Sequence, residues 1–104
     1  MEKLITKNEI ISQLKSNKQF LLSFGVQEIG LFGSFLKDDA NNGSDIDLLV
    51  DIKKEYKTFK NFMSLNYFLE HLFNRKVDLV TKQSLSPYIG PHILNSVEYV
   101  PFSS

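Results

Sequence analysis

The sequence predicts a small α/β (α+β) domain in which helices pack on a mixed β-sheet. Short apolar runs rich in β-branched residues alternate with longer segments of helical periodicity. The segment between the second and third predicted strands is long enough for a helix that crosses over between parallel strands. With 104 residues, of which 42% are hydrophobic, the chain can bury one core. We therefore expect a single domain over residues 1–104 with the core order α-β-(α)-β-α-β.

The first predicted helix runs from about residue 7 to residue 24. Thr6 and Glu9 have the spacing of a capping box at its start, and Gly25 suits the left-handed position after its end. Residues 26–32 then have the composition of a strand, which stops at the turn residues Gly33 and Ser34.

The remaining elements follow from apolar periodicity, caps and turn residues. They are a short helical turn over 35–39, a polar loop over 41–44, a strand over 46–52, a helix capped by Thr58 and running to about Asn74, a strand over 77–80, a last short helix that Ser86 caps before Pro87 and that runs to about Asn95, and a fourth strand over 97–100. Because a crossover helix joins the second and third strands, these two should be parallel, and the first strand should be antiparallel to the second.

Three aspartates are placed to meet at one edge of this sheet. Asp45 and Asp47 point to the same side of the second strand, because strand side chains alternate, and Asp78 has the same early position in the third strand. Carboxylates held this close repel each other, and hard cations with oxygen ligands, above all Mg²⁺, relieve that repulsion. We expect Asp45, Asp47 and Asp78 to be the metal ligands and the catalytic residues.

The turn at Gly33 and Ser34 should lie at the same edge of the sheet. Gly33 lacks a Cβ that would keep a phosphate from the backbone, Ser34 adds a hydroxyl donor, and Lys37 can reach a phosphate as a point charge. Two Mg²⁺ ions about 3.5 to 4 Å apart can clamp an in-line displacement at phosphorus and neutralise the departing pyrophosphate. The pattern therefore predicts nucleotidyl transfer, with Gly33, Ser34 and Lys37 binding the nucleotide.

Composition excludes several other classes. Lys plus Arg and Asp plus Glu each number 12, so the chain lacks the positive charge of an autonomous nucleic-acid binder. It contains no cysteine for a disulfide framework or a thiolate zinc site. Neither a membrane-spanning apolar run nor a signal-peptide core is evident, so we expect a soluble cytoplasmic protein with no membrane partner.

Residues 32–80 resemble the nucleotidyltransferase superfamily of DNA polymerase β, whose signature is Gly-Ser, a spacer, Asp-x-Asp and a third acidic residue on a neighbouring strand. The small size and the phrase Ser-Asp-Ile-Asp-Leu-Leu-Val over 44–50 are most similar to the minimal nucleotidyltransferases, or MNT proteins. The Val-Asp-Leu-Val run over 77–80, followed by Leu-Ser-Pro-Tyr-Ile over 85–89, extends this resemblance to about Val100.

The resemblance implies the polymerase β-like palm fold and the role of antitoxin in a HEPN/MNT toxin–antitoxin pair. Such proteins transfer AMP from Mg-ATP to a hydroxyl, in some cases that of a tyrosine, on the HEPN ribonuclease encoded beside them, and thereby neutralise it. By position, Asp45 and Asp47 would bridge two metal ions, Asp78 would complete the ion that activates the nucleophile, and Gly33 and Ser34 would hold the triphosphate. The resemblance also implies an arginine at the position of Lys37.

Two other functions remain open from the sequence. A non-catalytic antitoxin could inhibit its toxin by binding and occlusion alone, and metal-dependent AMP transfer separates this case from the enzyme. Transfer to a small molecule or an RNA end would need an additional acceptor-binding domain, which 104 residues do not provide.

The predicted helix over 59–74 has an unusually wide apolar face. On a helical wheel this face spans roughly 220°, whereas a surface helix needs to bury roughly 100°. Leu65, Phe68 and Leu72 account for the excess. These side chains either lie beneath the terminal helices or form a surface covered by the toxin or by a second copy of this chain.

Overall fold

The computed structural model describes residues 4–88 and 90–101 and confirms the predicted fold class. The α-helices and strands of this part of the chain are α1 (Lys7–Ser16), α2 (Lys18–Ser23), β1 (Val26–Phe32), β2 (Ile46–Ile52), α3 (Phe59–Phe73), β3 (Val77–Thr81), α4 (Gly90–Asn95) and β4 (Glu98–Tyr99). Short 3-10 turns occupy Lys54–Tyr56 and Lys82–Ser84. None of the described helices has both the length and the hydropathy of a membrane span.

The four strands form one mixed sheet in the order β3-β2-β1-β4. β2 and β3 are parallel, as the crossover through α3 requires, and β1 is antiparallel to both β2 and β4. The predicted strand directions are therefore confirmed. As a result, the end of β1 lies beside the starts of β2 and β3, at a single edge of the sheet.

Helices α1, α2 and α3 pack on one face of the sheet. Alternate residues of β2 point into this core and are almost fully buried, together with apolar residues of the three helices: Ile46, Leu48, Val50, Ile52, Ile10, Leu14, Leu21, Leu65 and Leu69. Because strand side chains alternate, Asp47, Leu49 and Asp51 point to the opposite face. The core thus holds β2 rigidly while one row of its side chains faces away from the helices.

The prediction of a single helix over 7–24 is wrong in one respect, because Asn17 divides this segment into α1 and α2. The amide Nδ2 of Asn17 donates to the carbonyl oxygen of Gln13 at 2.8 Å, and its backbone has φ −106° and ψ 23°. A side chain that competes for backbone partners in this way favours the end of a helix. The caps are as predicted: Thr6 and Glu9 form a capping box, and Gly25 has a φ of +80°.

The wide apolar face of α3 is mostly buried, which favours the first of the two interpretations given by the sequence. Leu65 is completely buried, and Phe68 and Leu72 pack partly buried against the core. The ring of Phe68 lies 5.5 Å from that of Phe20 in α2 and 5.7 Å from that of Phe24, which follows α2, so this part of the chain packs against it. The expectation that Leu65 belongs to a docking surface is wrong.

The structure differs from the sequence-based prediction in two shorter segments. Residues 34–38 form a hydrogen-bonded turn in which the N–H of Lys37 donates to the carbonyl of Gly33 as in a helix, but it ends one residue before the predicted helical turn, and α4 begins at Gly90, later than Ser86 and Pro87 predict. The N–H of Gly90 still bonds to the carbonyl of Ser86 at 2.8 Å, so a turn precedes the helix and only its boundary shifts. Residue 89 of the predicted helix lies outside the described residues.

Candidate functional site

The sheet register brings the predicted site residues together at one edge. Phe32, the last residue of β1, pairs with Asp47 of β2, and Asp47 in turn pairs with Asp78 of β3. Asp45 immediately precedes β2, and Gly33 immediately follows β1. Because Asp47 and Asp78 occupy paired positions on adjacent parallel strands, their side chains point to the same face of the sheet, away from the core.

Asp47 is the electrostatic centre of this cluster. Its pKa is raised from 3.8 to about 6, first because burial disfavours its charged form, then because of the negative charges of Asp78 and Asp45, and finally because of a hydrogen bond with Asp78. At neutral pH the cluster therefore carries negative charges that destabilise one another. A cation placed among these oxygens would relieve both the repulsion and the cost of burial.

None of the described lysine, arginine or histidine side chains forms an ion pair with the site aspartates. The two ion pairs among residues 4–88 and 90–101 are Lys7–Glu98 and Lys82–Glu28, and neither includes a site aspartate. Carboxylate oxygens are the ligands that Mg²⁺ prefers, so the donor set fits this ion chemically. In the described part of the chain, however, no three acidic or histidine side chains are already arranged around a metal position. Asp47 and Asp78 already share a hydrogen bond, so the side chains of the cluster would rearrange around an ion from positions that are already close.

Gly33 is required by the close approach of two strands. Its φ is +78°, and a Cβ at this position would lie 2.1 Å from Oδ2 of Asp47. Any other residue would therefore be strained in its backbone and would displace the Asp47 carboxylate. The absence of a side chain therefore lets the backbone of Gly33 pack directly against that carboxylate.

The turn after Gly33 is fixed by its own backbone. The carbonyl of Gly33 accepts from the N–H groups of Leu36 and Lys37, both at 3.1 Å, and the carbonyl of Ser34 accepts from the N–H of Asp39 at 3.0 Å. Among the described hydrogen bonds, none uses the N–H of Ser34. Lys37 is exposed on this turn. The structure thus brings Gly33 and Ser34 to the aspartates and leaves the Lys37 side chain at the surface.

Sequence reasoning missed Arg75, the only arginine of the chain. Its guanidinium donates to the carbonyl oxygens of Asn42 and Ser44 at 3.0 and 2.9 Å, directly before Asp45. It also lies over the ring of Phe35, with 5.5 Å between Cζ and the ring centroid. Its position in the sequence could have identified it, because it is a single arginine among lysines and lies three residues before Asp78.

Comparison with known proteins agrees with the resemblance that the sequence shows. Residues 7–100 match the family described as a nucleotidyltransferase domain. The protein adenylyltransferase MntA of Thermococcus cleftensis is 42% identical over 98 residues, which cover 93% of this chain and 98% of that protein.

Two solved structures have the same fold. A crystal structure of a toxin–antitoxin with AMP-PNP superposes with a TM-score of 0.68 at 24% identity, over 96% of this chain and 76% of that chain. The complex of a tri-AMPylated Shewanella oneidensis HEPN toxin with its MNT antitoxin superposes with a TM-score of 0.57 at 20% identity, over 86% of this chain and 72% of that chain. At these identities the two likenesses show a common fold.

Proposed function

This chain belongs to the minimal nucleotidyltransferase family of protein adenylyltransferases, and we propose that it is the antitoxin of a HEPN/MNT pair. In this proposal it transfers AMP from Mg-ATP to a hydroxyl of a HEPN ribonuclease, with a tyrosine as the acceptor, and thereby silences the toxin. The relative MntA supports the activity, and the fold neighbours, one with AMP-PNP and one with a tri-AMPylated HEPN toxin, support the nucleotide and the partner.

The observation that carries the proposal is the arrangement of three neighbouring strands. Gly33, Asp47 and Asp78 lie side by side at the ends of β1, β2 and β3, and Asp78 and Asp45 raise the pKa of Asp47. Structural aspartates normally avoid such mutual repulsion or pair with a cation. An acidic cluster with which no described cationic side chain forms an ion pair, beside the turn at Gly33, suits a substrate that brings phosphates and metal ions together.

The proposed reaction exchanges a phosphoanhydride bond of ATP for a phosphodiester bond between AMP and the acceptor. The oxygen of the acceptor hydroxyl attacks the α-phosphorus of ATP, the bond from that phosphorus to pyrophosphate breaks, and the hydroxyl proton passes to solvent. Mg²⁺ would lower the pKa of the attacking hydroxyl and neutralise the pyrophosphate. Asp45 and Asp47 would hold both ions, and Asp78 the one beside the nucleophile.

The nucleotide would be held by the turn after β1. Gly33 packs against the Asp47 carboxylate, so a phosphate bound through metal ions at the aspartates would lie next to this turn, and the N–H and hydroxyl of Ser34 can donate hydrogen bonds to its oxygens. Lys37 would add a positive charge without the paired donors of an arginine. We therefore assign Lys37 a supporting part in binding the triphosphate.

The test is AMP transfer to the HEPN protein encoded beside this chain. The purified pair is incubated with ATP and Mg²⁺, and intact-mass spectrometry and ribonuclease activity are followed together. Wild type should add one or more AMP units and silence the ribonuclease, whereas Asp47→Asn should do neither. Asp51→Asn is the matched control, because Asp51 lies on the same strand and the same face, four residues away, where Gln83 donates a hydrogen bond to it.

The same experiment separates the enzyme from an antitoxin that acts by occlusion. If the ribonuclease is inhibited stoichiometrically and no AMP mass appears with wild type, occlusion is the correct function. If Asp47→Asn transfers AMP as fast as Asp51→Asn does, the assignment of the site is wrong.

A further inference from the structure

The side chain of Arg75 connects segments that are far apart in the sequence. Arg75 lies between α3 and β3, after Asn74 ends α3 in a left-handed conformation with φ 49°. From there Nη1 donates to the carbonyl of Asn42 at 3.0 Å and to the carbonyl of Ser44 at 2.9 Å. A single guanidinium nitrogen thus holds the loop that leads into β2.

This loop is closed on itself but is otherwise weakly attached. The N–H of Asn41 donates to Oγ of Ser44 at 2.9 Å, and the N–H of Gly43 donates to Oδ1 of Asn41 at 2.8 Å. These bonds shape the turn but do not join it to the sheet. The bonds from Arg75 do so, and they are hydrogen bonds from a charged donor, which are stronger than neutral ones.

Both peptide groups that flank Asp45 are held by the segment that precedes β3. The carbonyl of Ser44 belongs to the peptide bond before Asp45 and accepts from Arg75. The N–H of Ile46 belongs to the peptide bond after Asp45 and donates to the carbonyl of Lys76 at 3.0 Å. The backbone of Asp45 is therefore fixed relative to the segment that carries Asp78 two residues later.

The guanidinium also contacts the turn that carries the predicted phosphate-binding residues. Its Cζ lies 5.5 Å from the centroid of the Phe35 ring, and Phe35, which follows Ser34, is only 3% exposed. A planar guanidinium can donate hydrogen bonds in its plane while its face lies over an aromatic ring, which an ammonium group cannot do. Arg75 thus contacts all three segments that form the site.

We propose that Arg75 is a positioning residue that fixes the separation of Asp45 from Asp78 and from the turn at Gly33 and Ser34. This role goes beyond the proposed function. Only the expected effect of Arg75 on the rate of AMP transfer rests on the proposed function. Because the side chains of the acidic cluster must rearrange around metal ions, an anchored backbone at Asp45 reduces the reorganisation needed when they bind.

The test compares Arg75→Ala and Arg75→Lys with the control Lys76→Ala. The control removes the same charge one residue further on, from an exposed side chain, and keeps the backbone carbonyl that holds Ile46. Hydrogen exchange is first measured on the protein alone, without nucleotide or metal. In Arg75→Ala the amides of residues 41–46 should exchange about tenfold faster than in wild type, since two hydrogen bonds are lost, and amides of the β1–β2 ladder should be unchanged.

The second readout is the kinetics of AMP transfer. In Arg75→Ala kcat should fall about tenfold or more, KM for ATP should change by less than about threefold, and more Mg²⁺ should be needed for half-maximal rate. Arg75→Lys should recover part of the exchange protection and part of kcat, because it restores the donor without the stacked plane. Lys76→Ala should match wild type in all three quantities.

These measurements test the positioning role of Arg75 separately from the proposed function. Unchanged exchange at residues 41–46 in Arg75→Ala would overturn the positioning role, as would faster exchange there with a kcat equal to that of Lys76→Ala. If wild type itself transfers no AMP, the proposed function fails, and the exchange measurement alone then decides whether Arg75 anchors the loop.

Discussion

Replacing Asp47 by asparagine should stabilise the metal-free protein at neutral pH, although it removes a residue of the proposed active site. Burial and the charges of Asp78 and Asp45 raise the pKa of Asp47 from 3.8 to about 6. A carboxyl with a higher pKa in the folded than in the unfolded state favours folding fully only below pH 4, and this contribution is lost as the pH rises through 6. Asparagine has nearly the same shape and no charge, so the variant does not lose stability as the pH rises.

The size of the effect follows from the shift. About two pH units correspond to roughly 3 kcal/mol between acidic and neutral pH. Asp47 is only partly buried, and solvent screening reduces the value to about 1 to 2 kcal/mol. For a domain of this size, 1 kcal/mol shifts Tm by about 4 to 8 °C, which is easily measured.

The assay is urea unfolding followed by circular dichroism, at a series of pH values from 4 to 8 in the presence of EDTA. The free energy of unfolding of Asp47→Asn should exceed that of wild type by about 1 to 2 kcal/mol at pH 7.5, and the difference should shrink towards pH 4. Asp51→Asn, on the same strand and the same face, is measured alongside as the matched control. Mg²⁺ added at pH 7.5 should stabilise wild type and have little effect on Asp47→Asn.

A difference between Asp47→Asn and wild type that stays constant from pH 4 to pH 8 would refute this reasoning. It would mean that the Asp47 carboxyl titrates alike in the folded and unfolded states and that the acidic cluster does not strain the fold. A constant loss of stability in the variant would instead assign Asp47 a structural hydrogen bond that asparagine cannot replace.

Three further predictions concern the site. Asp78→Asn should lower the rate of AMP transfer by about two orders of magnitude and leave ATP affinity, measured by calorimetry, largely unchanged, with Asp51→Asn as control. An equal loss of rate and of affinity would show that the Asp78 carboxylate organises the whole site. Gly33→Ala should lower the free energy of unfolding in urea by about 1 to 3 kcal/mol and should also lower ATP affinity, because its Cβ would overlap a carboxylate oxygen at 2.1 Å. The control Gly43→Ala should be nearly neutral, because its Cβ would meet its nearest neighbour at 3.4 Å. Equal effects of the two substitutions would refute the close approach at Gly33. Lys37→Arg should raise the rate of AMP transfer measured by intact mass, since a guanidinium can bind phosphate oxygens through two donors; an unchanged rate would exclude this residue from the triphosphate site.

The sequence by itself determined the fold class and the edge of the sheet at which the site lies. Alternation along 46–52 separates Asp47 from the core residues, and a helix of crossover length makes β2 and β3 parallel. These are local rules of period and length, so they hold without knowledge of distant contacts. They suffice to bring Gly33, Asp47 and Asp78 to adjacent strands.

The tertiary structure decided what depends on contacts between distant segments. Leu65 is buried in the core that the sheet and the helices form together, which the amphipathic pattern of α3 could not indicate. The raised pKa of Asp47 depends on how deeply its carboxyl is buried and how near Asp78 lies, and these distances exist only in the folded chain. Arg75 holds the loop before Asp45 across a sequence separation of about thirty residues, so its role could be recognised only once the chain was folded.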